Sequence, residues 1–149
     1  MAEGWARQYA LQRGWPVETR SGGIMGLQDH PADPLAVKVM GEVGVDLGSH
    51  RSGGVDEETM AWADYVMVME MRHATTLRQR FPQYEAKVML LGHFGGLVEV
   101  PDPIGGWRWR FRSSREQIHR CVVGFMDQLP PPQELPSPVE PASASPDSA

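Results

Sequence analysis

The run Tyr65–Met69 (YVMVM) decides the fold class, because its five apolar side chains alternate between the two faces of an extended strand. A strand that is apolar on both faces is typical of a parallel sheet covered by helices on each side. A second such run, Lys87–Leu91 (KVMLL), follows, and between the two Ala74, Leu77 and Phe81 recur at helical spacing. This alternation predicts an α/β three-layer sandwich with a small parallel sheet.

The segments on either side complete the predicted architecture. Met1, Trp5 and Tyr9 recur at helical spacing and predict a helix that ends at Gly14. Pro16–Arg20 alternates weakly and is short and polar, which favours an edge strand. Three further helices are predicted. The first has Asp33 as N-cap and Pro34 in its first turn and ends at Gly44, and the second runs from Asp56 to Ala63. The third begins with a capping box, Ser113-x-x-Glu116, and its apolar side is formed by Ile118, Val122, Phe125 and Leu129.

Composition excludes several classes of protein. The chain has 149 residues, 41% hydrophobic and 22% charged, which fits one globular domain of ordinary size. No run approaches the ~18 apolar residues of a membrane span, and no basic-then-apolar leader is visible. The net charge is −5 with scattered basic residues, which argues against nucleic-acid binding. We therefore expect a cytoplasmic protein with neither membrane nor nucleic acid as a partner.

Three groups of residues that suggest chemistry have simpler interpretations. Cys121 is the single cysteine, which excludes a disulfide framework and a thiolate-based metal site, and its place beside Val122 in a helical pattern predicts a small buried hydrophobe. No metal or cofactor is expected, because four histidines lack metal-ligand spacing: His30, His73, His93 and His119. Trp107 and Trp109 alternate with arginines, a pattern that could indicate contact with phosphate or nucleic acid. We interpret them as a helix entry packing on the core, with Arg108, Arg110 and Arg112 solvated.

The last twenty residues differ from the rest. Residues 130–149 (PPPQELPSPVEPASASPDSA) hold 7 of the 13 prolines and no aromatic residue. Such a segment cannot bury enough apolar surface to offset its ordering entropy, so we predict a domain over 1–129 and a disordered tail over 130–149. The alternative for the tail is a polyproline ligand for a partner that the sequence does not identify.

Five segments, in order along the chain, resemble the low-molecular-weight protein-tyrosine-phosphatases in their bacterial form, which include phosphoarginine phosphatases. The first segment, Met1-Ala2-Glu3, is similar to the end of the signature C-x5-R-S-P-M-A-E, and the second, Ser21-Gly22-Gly23, is similar to the family's S-A-G. The third, residues 44–52 (GVDLGSHRS), is similar to G-I-D-L-x-x-H-R-S, and the fourth is Met69-x-x-x-His73 with Arg80-Phe81-Pro82. The fifth, residues 101–106 (PDPIGG), is similar to the D-P-[YF] loop with its glycines. The resemblance implies a sheet of strand order 2-1-3-4. It also implies hydrolysis of a phosphoprotein or a small phosphomonoester through a cysteinyl-phosphate intermediate.

The resemblance gives roles to four residues. Asp102 resembles the general acid that protonates the leaving atom and then activates water; a turn-forming Asp-Pro is the alternative. His50 and Ser21 look like the residues that shape the phosphate loop, although His50 also fits an exposed loop histidine. Ile104 stands where the family often has an aromatic ring lining the pocket, so phosphotyrosine and phosphoarginine both stay open as substrates.

The 149 residues do not contain the C-x5-R part of the signature or the strand before it. A start codon placed too late in a working phosphatase is our first expectation. A non-catalytic pseudophosphatase that binds a partner and a fragment without function are the alternatives. We expect the chain as written to be inactive, and its sheet to have a gap or slipped pairing beside Tyr65–Met69.

Overall fold

The computed structural model describes residues 1–26 and 28–130. The predicted tail lies, apart from Pro130, outside the described residues, so the domain boundary stays a prediction. Five α-helices are described: α1 (Ala2–Arg13), α2 (Pro34–Gly41), α3 (Glu57–Trp62), α4 (Met71–Arg80) and α5 (Arg108–Met126). Five strands are described: β1 (Gly22–Gly23), β2 (His30–Pro31), β3 (Arg51–Gly54), β4 (Val66–Val68) and β5 (Val88–Leu90). Two 3-10 helices, Pro82–Lys87 and Leu91–Gly95, flank β5.

Local capping signals place three of the helix boundaries. Gly14 ends α1 in the left-handed region, at φ 62°, which glycine adopts without strain. The Asp33 carboxylate accepts the Leu35 N–H at 2.8 Å at the start of α2, and the Asp56 carboxylate accepts the Thr59 N–H at 2.8 Å at the start of α3. These side chains satisfy N–H groups that the first helical turn leaves unpaired. The predicted starts of α2 and α3 and the end of α1 are confirmed.

The two apolar runs form the predicted parallel pair. β4 pairs with β5 in the register Val66 to Val88 and Val68 to Leu90. The remaining strands form a separate ladder in the order β1-β3-β2, in which β1 is parallel and β2 antiparallel to β3. The α/β class with small sheets is confirmed, but the sheet is divided. Within residues 1–26 and 28–130, β4 pairs with β5 alone.

The predicted edge strand at Pro16–Arg20 is wrong. The Val17 N–H donates to the Trp15 carbonyl at 2.9 Å, which bends the chain, and Pro16 has no N–H to contribute to a ladder. Pairing begins instead at Gly22, opposite Gly53 of β3. A short alternating segment forms a strand only where a neighbour completes its hydrogen bonds.

The predicted start of the last helix is also wrong. α5 begins at Arg108, so Ser113 and Glu116 lie inside the helix and do not cap it. A turn sets the true start, since the Gly106 N–H donates to the Pro103 carbonyl at 2.9 Å and the chain then enters the helix at Trp107.

The predicted packing of the two tryptophans on the core is wrong as well. Trp107 is 79% exposed and Trp109 is 65% exposed. The inward face of α5 is made by Phe111, Ile118 and Val122, all of them buried.

The core consists of two apolar clusters with β4 between them. The first joins α1, α2 and α5 and includes Val39, Met40 and Phe111. The second joins α3, α4, β4 and β5 and comprises Met60, Val68, Ala74, Leu77, Val88 and Leu90. Val68 belongs to the second cluster while Met67 packs against the first, so β4 contributes to both. This is the two-sided burial that the run Tyr65–Met69 predicted.

Candidate active site

Asp102 lies in a loop whose own hydrogen bonds hold its carboxylate. The Ile104 N–H donates to Asp102 Oδ1 at 2.9 Å, an Asx turn between two prolines that fix their own φ angles. Gly105 follows at φ 80°, in the left-handed region, and closes the turn. Asp102 therefore makes the predicted Asp-Pro turn, and the turn leaves Oδ2 without an intraloop bond.

Two hydrogen bonds fasten this loop to the carboxyl end of β4. The Val100 N–H donates to the Met69 carbonyl at 3.0 Å, and Glu99 Oε1 accepts the Met71 N–H at 2.7 Å at the start of α4. Ligand sites of open α/β sheets lie at the carboxyl ends of the strands. The β4 run that decides the fold class therefore also positions Asp102.

A hydrogen-bonded cluster joins Glu3, Ser21 and His50. The Ser21 hydroxyl donates to Glu3 Oε2 and lies 3.4 Å from His50 Nε2, while His50 Nδ1 lies 3.5 Å from Glu3 Oε2. The side chains of His50 and Glu3 are only 20% and 15% exposed. His50 is thus held in place by α1 and the segment before β1, and is not the freely exposed loop histidine of the alternative interpretation.

One cavity of about 240 Å³ brings these parts together. Its lining residues include Met1, Glu3, His50, Asp102 and Ile104. Of the four residues predicted from the sequence, His50, Asp102 and Ile104 share this cavity, whereas Ser21 contacts it only through Glu3 and His50. The catalytic and binding roles of these residues stay predictions.

Nearby charges shape the electrostatics around the cavity. The Arg72 guanidinium donates hydrogen bonds to the Glu70 carboxylate, which raises the pKa of Arg72 above its ordinary value, and the nearby charge of Asp102 adds to the effect. Arg72 therefore places positive charge near the Asp102 loop.

Sequence reasoning gave no site role to several polar residues of the cavity wall, namely Glu3, His30, Asp33 and Ser52. His30 and Ser52 meet because β2 pairs with β3 at that register, a long-range contact with no local signal. Glu3 offered a signal, since it belongs to the segment similar to the phosphatase signature. Its bonds to Ser21 and His50, however, depend on the folded chain.

Residues 1–26 and 28–130 hold neither a candidate metal centre nor a candidate membrane span. No group of three His, Cys, Asp or Glu side chains there could hold a metal ion. None of the helices in this part of the chain is long and apolar enough to span a bilayer.

Comparison with known proteins decides the family. A family model described as low molecular weight phosphotyrosine protein phosphatase matches residues 1–134. The chain belongs to that family.

Individual members of this phosphatase family resemble the chain over most of its length. It is 34% identical to the low molecular weight protein-tyrosine-phosphatase Wzb of Escherichia coli K12 over 107 residues, 71% of this chain and 68% of Wzb. It is 30% identical to the protein-arginine-phosphatase of Bacillus subtilis 168 over 131 residues, 87% of each. A solved structure of the YwlE arginine phosphatase, a cysteine-to-serine mutant with a phosphorylated active-site serine, matches at a TM-score of 0.80 and 28% identity, covering 85% of this chain and 84% of that one.

Cys121 lies apart from the cavity of this family member. It is fully buried in the inward face of α5, where its thiol lies 3.8 Å from the Gly92 carbonyl oxygen. Burial raises the pKa of the thiol, which disfavours the thiolate that a nucleophile must provide. The prediction that Cys121 is a buried hydrophobe is confirmed.

Proposed function

We propose that this chain is the part of a protein phosphatase that follows the phosphate loop. The whole enzyme hydrolyses phosphotyrosine or phosphoarginine through a cysteinyl-phosphate intermediate. The observation that carries the proposal is the shared cavity, which Asp102 lines together with Met1, Glu3 and His50. Met1-Ala2-Glu3 resembles the end of the family signature, so a loop ahead of Met1 would lie beside that cavity. The cysteine nucleophile and the phosphate-binding arginine would come from that loop.

The chain's own residues have defined tasks in this mechanism. In the first step the cysteine thiolate attacks phosphorus, the bond from phosphorus to the tyrosine oxygen or arginine nitrogen breaks, and Asp102 donates its proton to that atom. In the second step Asp102 accepts a proton from water while the water oxygen attacks phosphorus, which releases phosphate and restores the thiolate. Ser21 and His50 would hold the phosphate loop in shape, and Ile104 would border the leaving group.

The first test concerns the nucleophile. We expect the 149-residue chain to show no turnover of para-nitrophenyl phosphate above a buffer blank. The protein extended upstream in frame through a C-x5-R segment is expected to be active on phosphotyrosine or phosphoarginine peptides. In the extended protein, Cys121→Ser is expected to retain activity because that thiol is buried. The proposal is wrong if the extended, folded protein is inactive or if the upstream frame encodes no such segment.

The second test concerns Asp102. In the extended protein, Asp102→Asn keeps an oxygen that can accept the Ile104 N–H but has no proton to donate as an acid. We expect kcat to fall at least about a hundredfold with little change in KM. The loss is expected to be larger with phenyl phosphate than with para-nitrophenyl phosphate, because the poorer leaving group depends more on the acid.

Asp46→Asn is the matched control for this variant. The Asp46 carboxylate also accepts an N–H two residues on, from Gly48 at 2.7 Å, but does not line the cavity. Turnover by Asp102→Asn equal to that of Asp46→Asn would remove Asp102 from the acid role.

A second candidate function is a non-catalytic module that binds a phosphorylated partner. The observation in its favour is that the one cysteine among the 149 residues is buried in α5. Mass spectrometry of the native protein separates the two functions. Peptides from upstream of Met1 support the phosphatase, whereas a native N-terminus at Met1 or Ala2 supports the binding module.

A further inference from the structure

The segment after the Asp102 loop exposes large apolar side chains beside the cavity. Ile104, Trp107 and Trp109 are 69%, 79% and 65% exposed, and all three fall within six residues. We call residues 104–112 the rim segment. Exposed apolar side chains that lie next to one another typically mark an interaction site, whereas single scattered ones are normal on a protein surface. Ile104 also lines the cavity, so the rim segment is continuous with it.

The rim segment is also basic, although the whole chain carries a net charge of −5. It holds three arginines and no acidic residue. Arg108 and Arg112 both donate to Glu42 of the loop after α2 at 2.8 Å, and that same carboxylate also accepts from Arg115 at 3.1 Å. Arg115 also pairs with Glu116 at 2.7 Å, so two carboxylates face three guanidinium groups and a surplus of positive charge remains.

Of the three rim-segment arginines, Arg110 is the one whose guanidinium makes no hydrogen bond or ion pair with the described residues, since Arg108 and Arg112 pair with Glu42. Its stem packs on the Asp102 loop, since a Cβ added at Gly106 would lie 2.7 Å from Arg110 Cδ. The Arg110 stem therefore lies two residues along the loop from Ile104 of the cavity wall, and its exposed charge is available to a ligand.

We propose that the rim segment docks the acidic residues that flank the phosphorylated residue of a protein substrate. The inference rests on the proposed function, because it takes the phosphorylated residue to sit in the cavity. Trp107 and Trp109 would supply apolar anchors, as aromatic side chains do at the centre of interfaces. Arg110 would pair with a carboxylate of the bound peptide. Continuity with the cavity favours a peptide over a membrane surface as the occupant.

The test is a titration of the protein extended upstream with four peptides, monitored by isothermal calorimetry. The extended protein carries Asp102→Asn, so that the phosphopeptides are hydrolysed only slowly. The peptides combine tyrosine or phosphotyrosine with flanks of aspartate and glutamate or of serine and glycine. We expect acidic flanks to tighten binding whether or not the tyrosine is phosphorylated, and added salt to weaken that gain. Arg110→Glu is expected to weaken binding of the acidic peptides about threefold to tenfold and to leave the neutral peptides unchanged.

Trp107→Ala is a second variant, independent of charge, and is expected to weaken binding of all four peptides. Arg120→Glu is the matched control, because Arg120 is also exposed on α5 and lies away from the rim segment. We expect it to leave the affinities unchanged.

Equal affinity for acidic and neutral flanks would overturn the docking surface, as would equal losses in Arg110→Glu and Arg120→Glu. Binding to vesicles of phosphatidylserine and phosphatidylcholine without binding to any peptide would overturn it too. If the flanks matter but phosphorylation does not, the docking surface stands and the proposed function fails.

Discussion

Gly124, in the middle of α5, lies against backbone and has no space for a methyl group. A Cβ built there would clash with the Phe94 carbonyl oxygen, in the 3-10 helix after β5. Alanine would gain up to ~1 kcal/mol of helix propensity, but overpacking costs ~1–3 kcal/mol and a backbone carbonyl cannot rotate away as a side chain can. We expect Gly124→Ala to lower the free energy of unfolding by at least about 1 kcal/mol in a urea titration.

Gly41→Ala is the control for that prediction. Gly41 is also helical, at the end of α2, but no heavy atom lies within 4 Å of its added Cβ. The same substitution there is expected to be neutral or to stabilise by up to ~1 kcal/mol. Equal effects at the two sites would show that α5 does not approach the Phe94 carbonyl so closely.

Residues that act through their immediate neighbours were predictable. Asp33 and Asp56 cap helices through N–H groups two or three residues away, and Asp102 forms its turn with Ile104. His30 was not predictable as a cavity residue, because only the pairing of β2 with β3 brings it there. The resemblance to a family singled out Asp102 and His50, whereas periodicity alone gave neither a role.

At the scale of elements, Glu42, which follows α2, connects that helix to α5 through hydrogen bonds. It accepts hydrogen bonds from Arg108, Arg112 and Arg115, and these lower its pKa from 4.5 to about 2, with Arg112 the largest contributor. A depressed pKa in the folded state stabilises the fold above the unfolded pKa, and that contribution is lost as pH falls through the folded pKa. We expect the unfolding midpoint in urea to drop between pH 4.5 and about 2 more steeply in the wild type than in Glu42→Gln.

Glu18→Gln is the matched control for Glu42, since Glu18 is exposed and makes no ion pair with any residue in the described ranges. It is expected to follow the wild-type curve. A Glu42→Gln profile as steep as that of Glu18→Gln would mean that the arginines do not hold the Glu42 carboxylate in solution.

Elements differed in how far the sequence could predict them. β4 and β5 were predictable because their apolar side chains on both faces require cover on both faces. β1 consists of Gly22 and Gly23, which carry no side-chain pattern, and its pairing with β3 depends on the fold. The start of α5 was misplaced because Ser113-x-x-Glu116 imitates a capping box, while the Pro103–Gly106 turn sets the boundary.

At the scale of the whole molecule, the site and the division of the sheet belong to one region. The cavity lies beside the Asp102 loop, which is fastened at Met69 just after β4, and β4 pairs with β5 alone among the described strands. The three-layer class was predictable from the alternation of helices and apolar runs. The division into two ladders was expected in outline, as a gap beside Tyr65–Met69, but the pairing of β1, β2 and β3 was not.

Within residues 1–26 and 28–130 one edge of β4 has no partner strand, which leads to a prediction for the stability of the 149-residue chain. Unpaired backbone N–H and C=O groups cost ~1–3 kcal/mol each where they are buried, and a few of them can consume the ~5–15 kcal/mol of a typical domain. An unpaired edge also invites pairing between chains. We expect the purified 149-residue chain to scatter light on warming and to lack a cooperative thermal transition above about 65 °C, the upper end for mesophile domains.

The protein extended upstream is expected to melt at a higher temperature and to stay monomeric, because an added strand would pair with β4. A monomeric 149-residue chain that melts cooperatively above about 65 °C would show that the β4 edge is already satisfied, and would favour the non-catalytic binding module.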